Sequence, residues 1–162
     1  MTEQLPTAEQ QATEQKSLLR RAAIDLLARR EHSRKELLNK LRSRAELLDE
    51  LEEVLEEVLD RLEQDGLFSD ERFAESFVRS RIGRGHGPMR IRQELRQKGI
   101  ENELCALAIE AADADWYELA RACRERKFGT GKPKDYRERA KQMRYLQYRG
   151  FSMDAINEAT SG

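Results

Sequence analysis

From Ser17 onward the apolar residues recur at three- and four-residue steps, the spacing of one face of an α-helix. Leu19, Ala23, Leu26 and Leu27 form the first stripe. Ser33-Arg34-Lys35-Glu36 then reads as a capping box, in which the serine hydroxyl and the glutamate satisfy each other's free backbone N–H groups, and it opens a short second helix ending near Arg44. The third stripe is the clearest: Leu48, Leu51, Leu55, Val58, Leu59 and Leu62 share one face while acids fill the other, and Asp65-Gly66-Leu67 stops it. No segment alternates with the two-residue period of a strand, so the pattern predicts an all-α protein. Residues 1–16 lack apolar periodicity and are predicted to form a disordered tail.

The helix stop recurs. In Gly66-Leu67, Gly99-Ile100 and Gly150-Phe151 a glycine is followed by an apolar residue, the sequence form of a Schellman end with its hydrophobic contact, and Gly150 lies 51 residues beyond Gly99. Phe73, Ala74 and Phe77 are echoed 46 residues later by Leu119, Ala120 and Cys123, and 51 residues earlier by Ala22, Ala23 and Leu26. The shortfall falls in the loop Gly129-Thr130-Gly131-Lys132-Pro133, where length changes are tolerated. The reading is three tandem three-helix units, residues 17–65, 69–113 and 114–160, forming an elongated, curved helical-repeat body.

Composition supports a thin helical core. Charged residues make up 38% of the chain and aromatic residues 6%, so Leu, Ala, Ile and Val must do most of the packing. No run approaches the roughly 18 to 20 apolar residues of a membrane span, and the polar N-terminus is unlike a signal peptide, so the expected compartment is the cytoplasm. Cys105 and Cys123 occupy apolar helical positions and are expected to be reduced core residues. The net charge of −1 hides an asymmetry: Glu46 to Asp65 carries a net −9, which leaves +8 on the remainder. A basic body with one acidic ridge raises the expectation of a charged partner.

Two adjoining segments are the most specific. Asp65-Gly66-Leu67-Phe68-Ser69-Asp70-Glu71-Arg72-Phe73-Ala74-Glu75-Ser76-Phe77-Val78-Arg79-Ser80-Arg81 is followed by Gly85-His86-Gly87-Pro88-Met89-Arg90-Ile91-Arg92-Gln93-Glu94-Leu95-Arg96-Gln97-Lys98-Gly99-Ile100. Together they resemble the central signature of the RecX family, a G-aromatic-G-P-x-R-I-x-x-E-L-x-x-K-G-I run after an R-F-A-x-x-F-V-x-S-R helix. Leu27-Ala28-Arg29-Arg30-Glu31-His32-Ser33 and Met143-Arg144-Tyr145-Leu146-Gln147-Tyr148-Arg149-Gly150-Phe151 also resemble the family, so the likeness covers about residues 17–160. His86 departs from the pattern, which has a tyrosine there. The resemblance implies a monomeric regulator of homologous recombination and DNA repair in the SOS response. Such a regulator binds RecA filaments on single-stranded DNA, lodges in their helical groove and suppresses ATP hydrolysis, strand exchange and filament extension.

Read physically, Gly87 permits a sharp turn and Pro88 suits the first helical position, where its missing N–H costs nothing. Pro88, Ile91 and Leu95 are expected to face the core, and Glu94 to pair with Arg90 and Lys98 at four-residue spacing. Arg92 and Arg96 are like charges at i, i+4, so both guanidinium groups are expected to seek an external acceptor. With Arg79, Arg81 and Arg84 upstream they make either a phosphate- or carboxylate-reading patch or a solvated face. The resemblance favours binding and adds His86. A second basic run includes Lys127, Lys132, Arg137, Lys141 and Arg144, with Tyr136, Tyr145 and Tyr148 among or just after these charges. Those tyrosines either stack on bases or, as is more usual at helical spacing, pack between helices.

Catalysis has little support. His32 and His86 lack an apparent serine or cysteine partner, the cysteines lack zinc-site spacing, and Gly83-Arg84-Gly85-His86-Gly87 lacks the ending of a P-loop. No enzyme activity, metal or cofactor is expected. The structural residues are expected to be Gly66, Gly87, Pro88, Gly99 and Gly150. The competing reading is a helical module that contacts nucleic acid directly through its basic patches, as weak DNA binding of its own.

Overall fold

The computed structural model describes residues 3–5, 7–45 and 51–161, and among them are nine α-helices and no strand. They are α1 (Ala8–Leu27), α2 (Arg34–Arg44), α3 (Leu51–Gln64), α4 (Asp70–Gly83), α5 (Pro88–Gln97), α6 (Asn102–Ala111), α7 (Trp116–Phe128), α8 (Tyr136–Arg149) and α9 (Met153–Thr160). Leu48, Asp49 and Glu50 of the predicted third helix, and Glu46 at the start of the acidic run, lie outside the described residues. The chain divides into two compact units, Met1–Phe73 and Ala74–Gly162. No helix among the described residues is long and apolar enough to cross a membrane.

In the first unit, α1 begins at Ala8 and not after residue 16, which corrects the expected tail. Thr7 accepts from the N–H of Gln10 at 3.2 Å, and the Gln10 side chain accepts from the N–H of Thr7 at 2.9 Å. This capping box and the good helix formers after it start the helix without an apolar stripe. The expected box at Ser33 and Glu36 is present and opens α2. Leu19, Ala23 and Leu26 of α1, Leu37 and Leu41 of α2, and Leu55, Val58, Leu59 and Leu62 of α3 close around Phe68. After Gly66 the backbone makes the expected bond from the N–H of Leu67 to Leu62, but Leu67 is exposed and Phe68 enters the core in its place.

Ion pairs tie the acidic face of α3 to its own unit. The Arg34 guanidinium reaches Glu56 at 2.6 Å, Asp60 at 2.7 Å and Glu63 at 3.3 Å. Arg42 pairs with Glu52 at 2.7 Å, Lys16 with Glu57 at 2.5 Å and Arg20 with Asp65 at 2.8 Å. The backbone N–H of Arg34 also donates to Asp70 at 2.8 Å.

In the second unit, α5 packs on α6, burying Ile91 and Leu95 from the first and Cys105, Ala108 and Ile109 from the second. Helices α7, α8 and α9 pack around Ala120, Cys123, Leu146, Phe151, Ala155 and Ile156. Both cysteines are free and buried, and burial pushes the Cys105 thiol above its ordinary range. The predicted Schellman ends are formed, the N–H of Ile100 donating to Leu95 and that of Phe151 to Leu146. A fourth end was not read from the sequence: the N–H of His86 donates to Arg81 at 3.0 Å after Gly85, so His86 fills the place that Ile100 and Phe151 take elsewhere.

Candidate partner-binding surface

The two most specific stretches of sequence meet each other. At the start of α5 the N–H of Gly87 donates to the carbonyl of Arg149 at 2.7 Å, and the N–H of Met89 donates to Gly150 at 2.9 Å. Free N–H groups at one helix start are thus satisfied by free carbonyls at another helix end, with complementary partial charge. The Arg149 side chain completes the joint, donating from Nε to Gly85 at 3.2 Å and from Nη2 to the carbonyl of Arg84, where α4 ends. The approach leaves no room for side chains: a Cβ on Gly87 would stand 2.4 Å from the Gly150 carbonyl, and one on Gly150 would stand 2.3 Å from the Cβ of Arg90. Gly150 also has a φ of +98°, a conformation open to glycine and costly for other residues. The Gly85–Pro88 segment is therefore a buried joint.

Beside the joint, one carboxylate serves several cations. Glu94 pairs with Arg90 at 2.9 Å through one oxygen and with Arg81 at 2.9 Å through the other, and His86 Nδ1 lies 3.6 Å away. Arg81 also sits over the Phe77 ring at 4.6 Å, and Arg90 over Tyr148 at 5.1 Å. His86 is 8% exposed. Burial lowers its pKa, the Arg90 charge adds to the shift, and Glu94 opposes it. Two residues assigned to a partner surface from sequence are thus engaged inside the protein: Arg81 is half-buried against Glu94, and His86 is buried.

Arg92 and Arg96 lie on another side of α5. Each helical residue turns about 100°, so positions two residues from Arg90 and Glu94 point nearly opposite, and a single patch joining Arg81 to Arg92 and Arg96 does not form. Arg96 donates to the side-chain oxygen of Asn102 on α6, which corrects the expectation that both arginines lack an internal acceptor. Arg92 is exposed and makes no hydrogen bond or ion pair among the described residues. Arg79 and the Arg84 side chain are exposed in the same way.

The basic run of α7 and α8 stays largely at the surface. Arg139 is half-buried, and Arg124 is buried and donates twice to the carbonyl of Gly131 at 2.9 and 3.1 Å, which holds the connecting loop. Lys127, Lys132, Lys134, Arg137, Lys141 and Arg144 are exposed and have no carboxylate partner among the described residues. The tyrosines divide. Tyr145 packs edge-on against Phe128 at 5.5 Å, with the Lys127 ammonium 5.4 Å from its ring centre. Tyr136, 86% exposed, and Tyr148, 70% exposed, do not pack between helices as the usual reading expects.

Sequence reasoning missed the roles of Arg149 and of Glu94 as a shared counter-ion. The only local signal for Arg149 was its place immediately before a helix-ending glycine, where a basic side chain favours free carbonyls.

Comparison with known proteins fits this geometry. Residues 69–109 match the RecX second three-helix domain, and residues 113–160 match the RecX third three-helix domain. The regulatory protein RecX of Pseudomonas fluorescens Pf-5 is 50% identical over 144 residues, covering 89% of this chain and 90% of that protein. Its counterpart in Halorhodospira halophila is 48% identical over 143 residues, covering 88% and 86%. Among solved structures, RecX from Lactobacillus salivarius superposes with a TM-score of 0.74 at 25% identity, covering 91% of this chain and 95% of that one. The helical architecture, the two matched domains and this level of identity across most of the chain show that it belongs to the RecX family of regulatory proteins.

Proposed function

We propose that the chain acts in the cytoplasm as a monomer that binds RecA filaments on single-stranded DNA in their helical groove. There it slows ATP hydrolysis, strand exchange and filament extension. It works by binding, without a catalytic step or cofactor, and its effect on RecA comes from unequal affinity for active and inactive filament states. The three repeated units, residues 17–65, 69–113 and 114–160, supply contacts to neighbouring protomers, and joined contacts raise one another's effective concentration. The observation that carries this reading, beside family membership, is the set of exposed cations without internal partners in the matched domains: Arg79, Arg84, Arg92, Lys132, Arg137, Lys141 and Arg144. Adding the purified chain to RecA on single-stranded DNA tests it. ATP turnover should fall, extra density should occupy the filament groove in electron micrographs, and the chain alone should hydrolyse no ATP. Unchanged turnover and bare filaments at equal concentrations would refute it.

The exposed Tyr136 among Lys132, Lys134 and Arg137 favours a second reading, direct contact with single-stranded nucleic acid by stacking and phosphate pairing. Phosphate-driven binding weakens steeply with salt. Inhibition of RecA that persists at salt where the chain no longer binds DNA, and well below one chain per protomer, separates the first reading from the second.

A further inference from the structure

Three exposed large apolar side chains converge on one place. Met89 is 64% exposed, Tyr148 70% and Met153 50%, and together they border a groove of about 550 Å³ between the start of α5 and the corner from α8 to α9. Phe151 and the backbone of Gly150 line its floor, which the joint with Gly87 and Met89 holds fixed. The amides of Gln93 and Gln147 lie on its border, and its two charges, Arg90 and Glu94, are paired with each other.

We propose that this groove docks a neutral, apolar segment of a partner protein, which, on the function proposed above, a RecA protomer supplies. The charge pattern selects this occupant. A nucleic acid strand binds largely through free cations facing its phosphates, and the one guanidinium among the groove's lining residues, that of Arg90, is held by Glu94 and sits over Tyr148. The free cations of α7 and α8 offer what a phosphate chain requires; the groove offers apolar contact and neutral donors and acceptors. Methionine is flexible and polarisable, so Met89 and Met153 can mould around an apolar anchor while the glutamine amides bond the backbone beside it. A clustered apolar surface beside polar groups is the usual form of a protein-docking site.

The test replaces Met89 and Met153 together by Ser in the full chain and measures RecA inhibition and melting. Both side chains are exposed, so melting should stay near the parent's. Half-inhibition should need about tenfold more protein, with its salt dependence unchanged. A parent that inhibits while the variant inhibits equally well overturns the groove alone. A variant that loses inhibition with a shallower salt dependence overturns it in favour of phosphate contact. A parent that does not inhibit RecA overturns the function proposed above and this inference with it. Independently of the variant's folding, a benzophenone cross-linker at position 89 should capture an apolar RecA peptide; capture of DNA, or of nothing on inhibited filaments, refutes the assignment.

Discussion

Helices α2 and α3 and helices α7 and α8 carry dense charge, and they use it in opposite ways. In the first pair Arg34 and Arg42 are committed to Glu52, Glu56, Asp60 and Glu63, so the acidic face that dominates the sequence is bound up within its own unit. In the second pair Arg121 meets Glu118 on its own helix, but Arg137, Lys141 and Arg144 of α8, with Lys132 and Lys134 of the connecting loop, face solvent with no carboxylate partner among the described residues. Charge density is the same kind of signal in both. What separates a fold-building charge from a partner-seeking one is whether the packing of a neighbouring helix brings an opposite charge within reach.

The largest expected effect tests the platform on which the exposed cations of α8 stand. Gly150→Val combines a strained left-handed backbone with overlap against Arg90, and it should cost about 3 to 5 kcal/mol of stability. Urea denaturation checks this; a loss below about 1 kcal/mol would mean the joint opens freely.

Next comes the distinction within α5. Arg92→Ala should leave melting unchanged and weaken RecA inhibition about tenfold or more, as expected when a charge-assisted contact worth roughly 1.5 to 3 kcal/mol is lost. Arg96→Ala removes the bond to Asn102 and should cost at most about 1 kcal/mol of stability. Titration of RecA inhibition alongside thermal melts separates the two. Glu94→Ala, which helix spacing alone would make a mild control, should not be mild, because Arg81 and Arg90 lose their shared counter-ion.

Arg34→Ala sharpens the other side of the comparison. Half-exposed ion pairs contribute about 0.2 to 1 kcal/mol each, so removing this three-way centre should cost about 1 to 2 kcal/mol while leaving RecA inhibition near the parent's.

The smallest effect is in pH. His32 and His86 are both buried, and burial is the main cause that lowers the pKa of each. A histidine whose folded pKa lies below its unfolded value contributes fully above the unfolded value of about 6.5 and loses that contribution as pH falls through it toward the folded pKa. Stability should therefore decline as pH falls below about 6.5, and His86→Gln should flatten that slope. Denaturation curves at successive pH values that show no difference between parent and variant would place the His86 proton elsewhere.

Local patterns were legible in the sequence, and pairings across distance were not. The Ser33 box and the backbone of the three glycine ends could be read because each lies within six residues of chain. The Thr7 box carries no apolar spacing, the sign by which a helix is read from sequence, yet a capped first turn of helix-forming residues suffices. Arg81 with Glu94 and Arg96 with Asn102 join different helices, so counting along one helix leaves these two arginines looking free, and Arg149 reaches across 64 residues to Gly85. The resemblance puts His86 at the partner surface; its place one residue after a left-handed glycine is the signal that it turns inward. Of the expected surface, Arg79, Arg84, Arg92 and the cations of α7 and α8 remain available to a partner, while Arg81 and His86 do not.

On the proposed function, unpaired cations, and not charge as such, bind RecA. The most direct measurement is the concentration of protein that halves the DNA-dependent ATPase of RecA, compared between Arg34→Ala and the triple variant Arg92→Ala, Lys132→Ala, Arg137→Ala at one salt concentration. Arg34→Ala should inhibit like the parent despite its lower melting temperature, and the triple variant should melt normally yet need at least about ten times more protein. A triple variant that inhibits like the parent, or an Arg34→Ala variant that is folded and fails to inhibit, would contradict it.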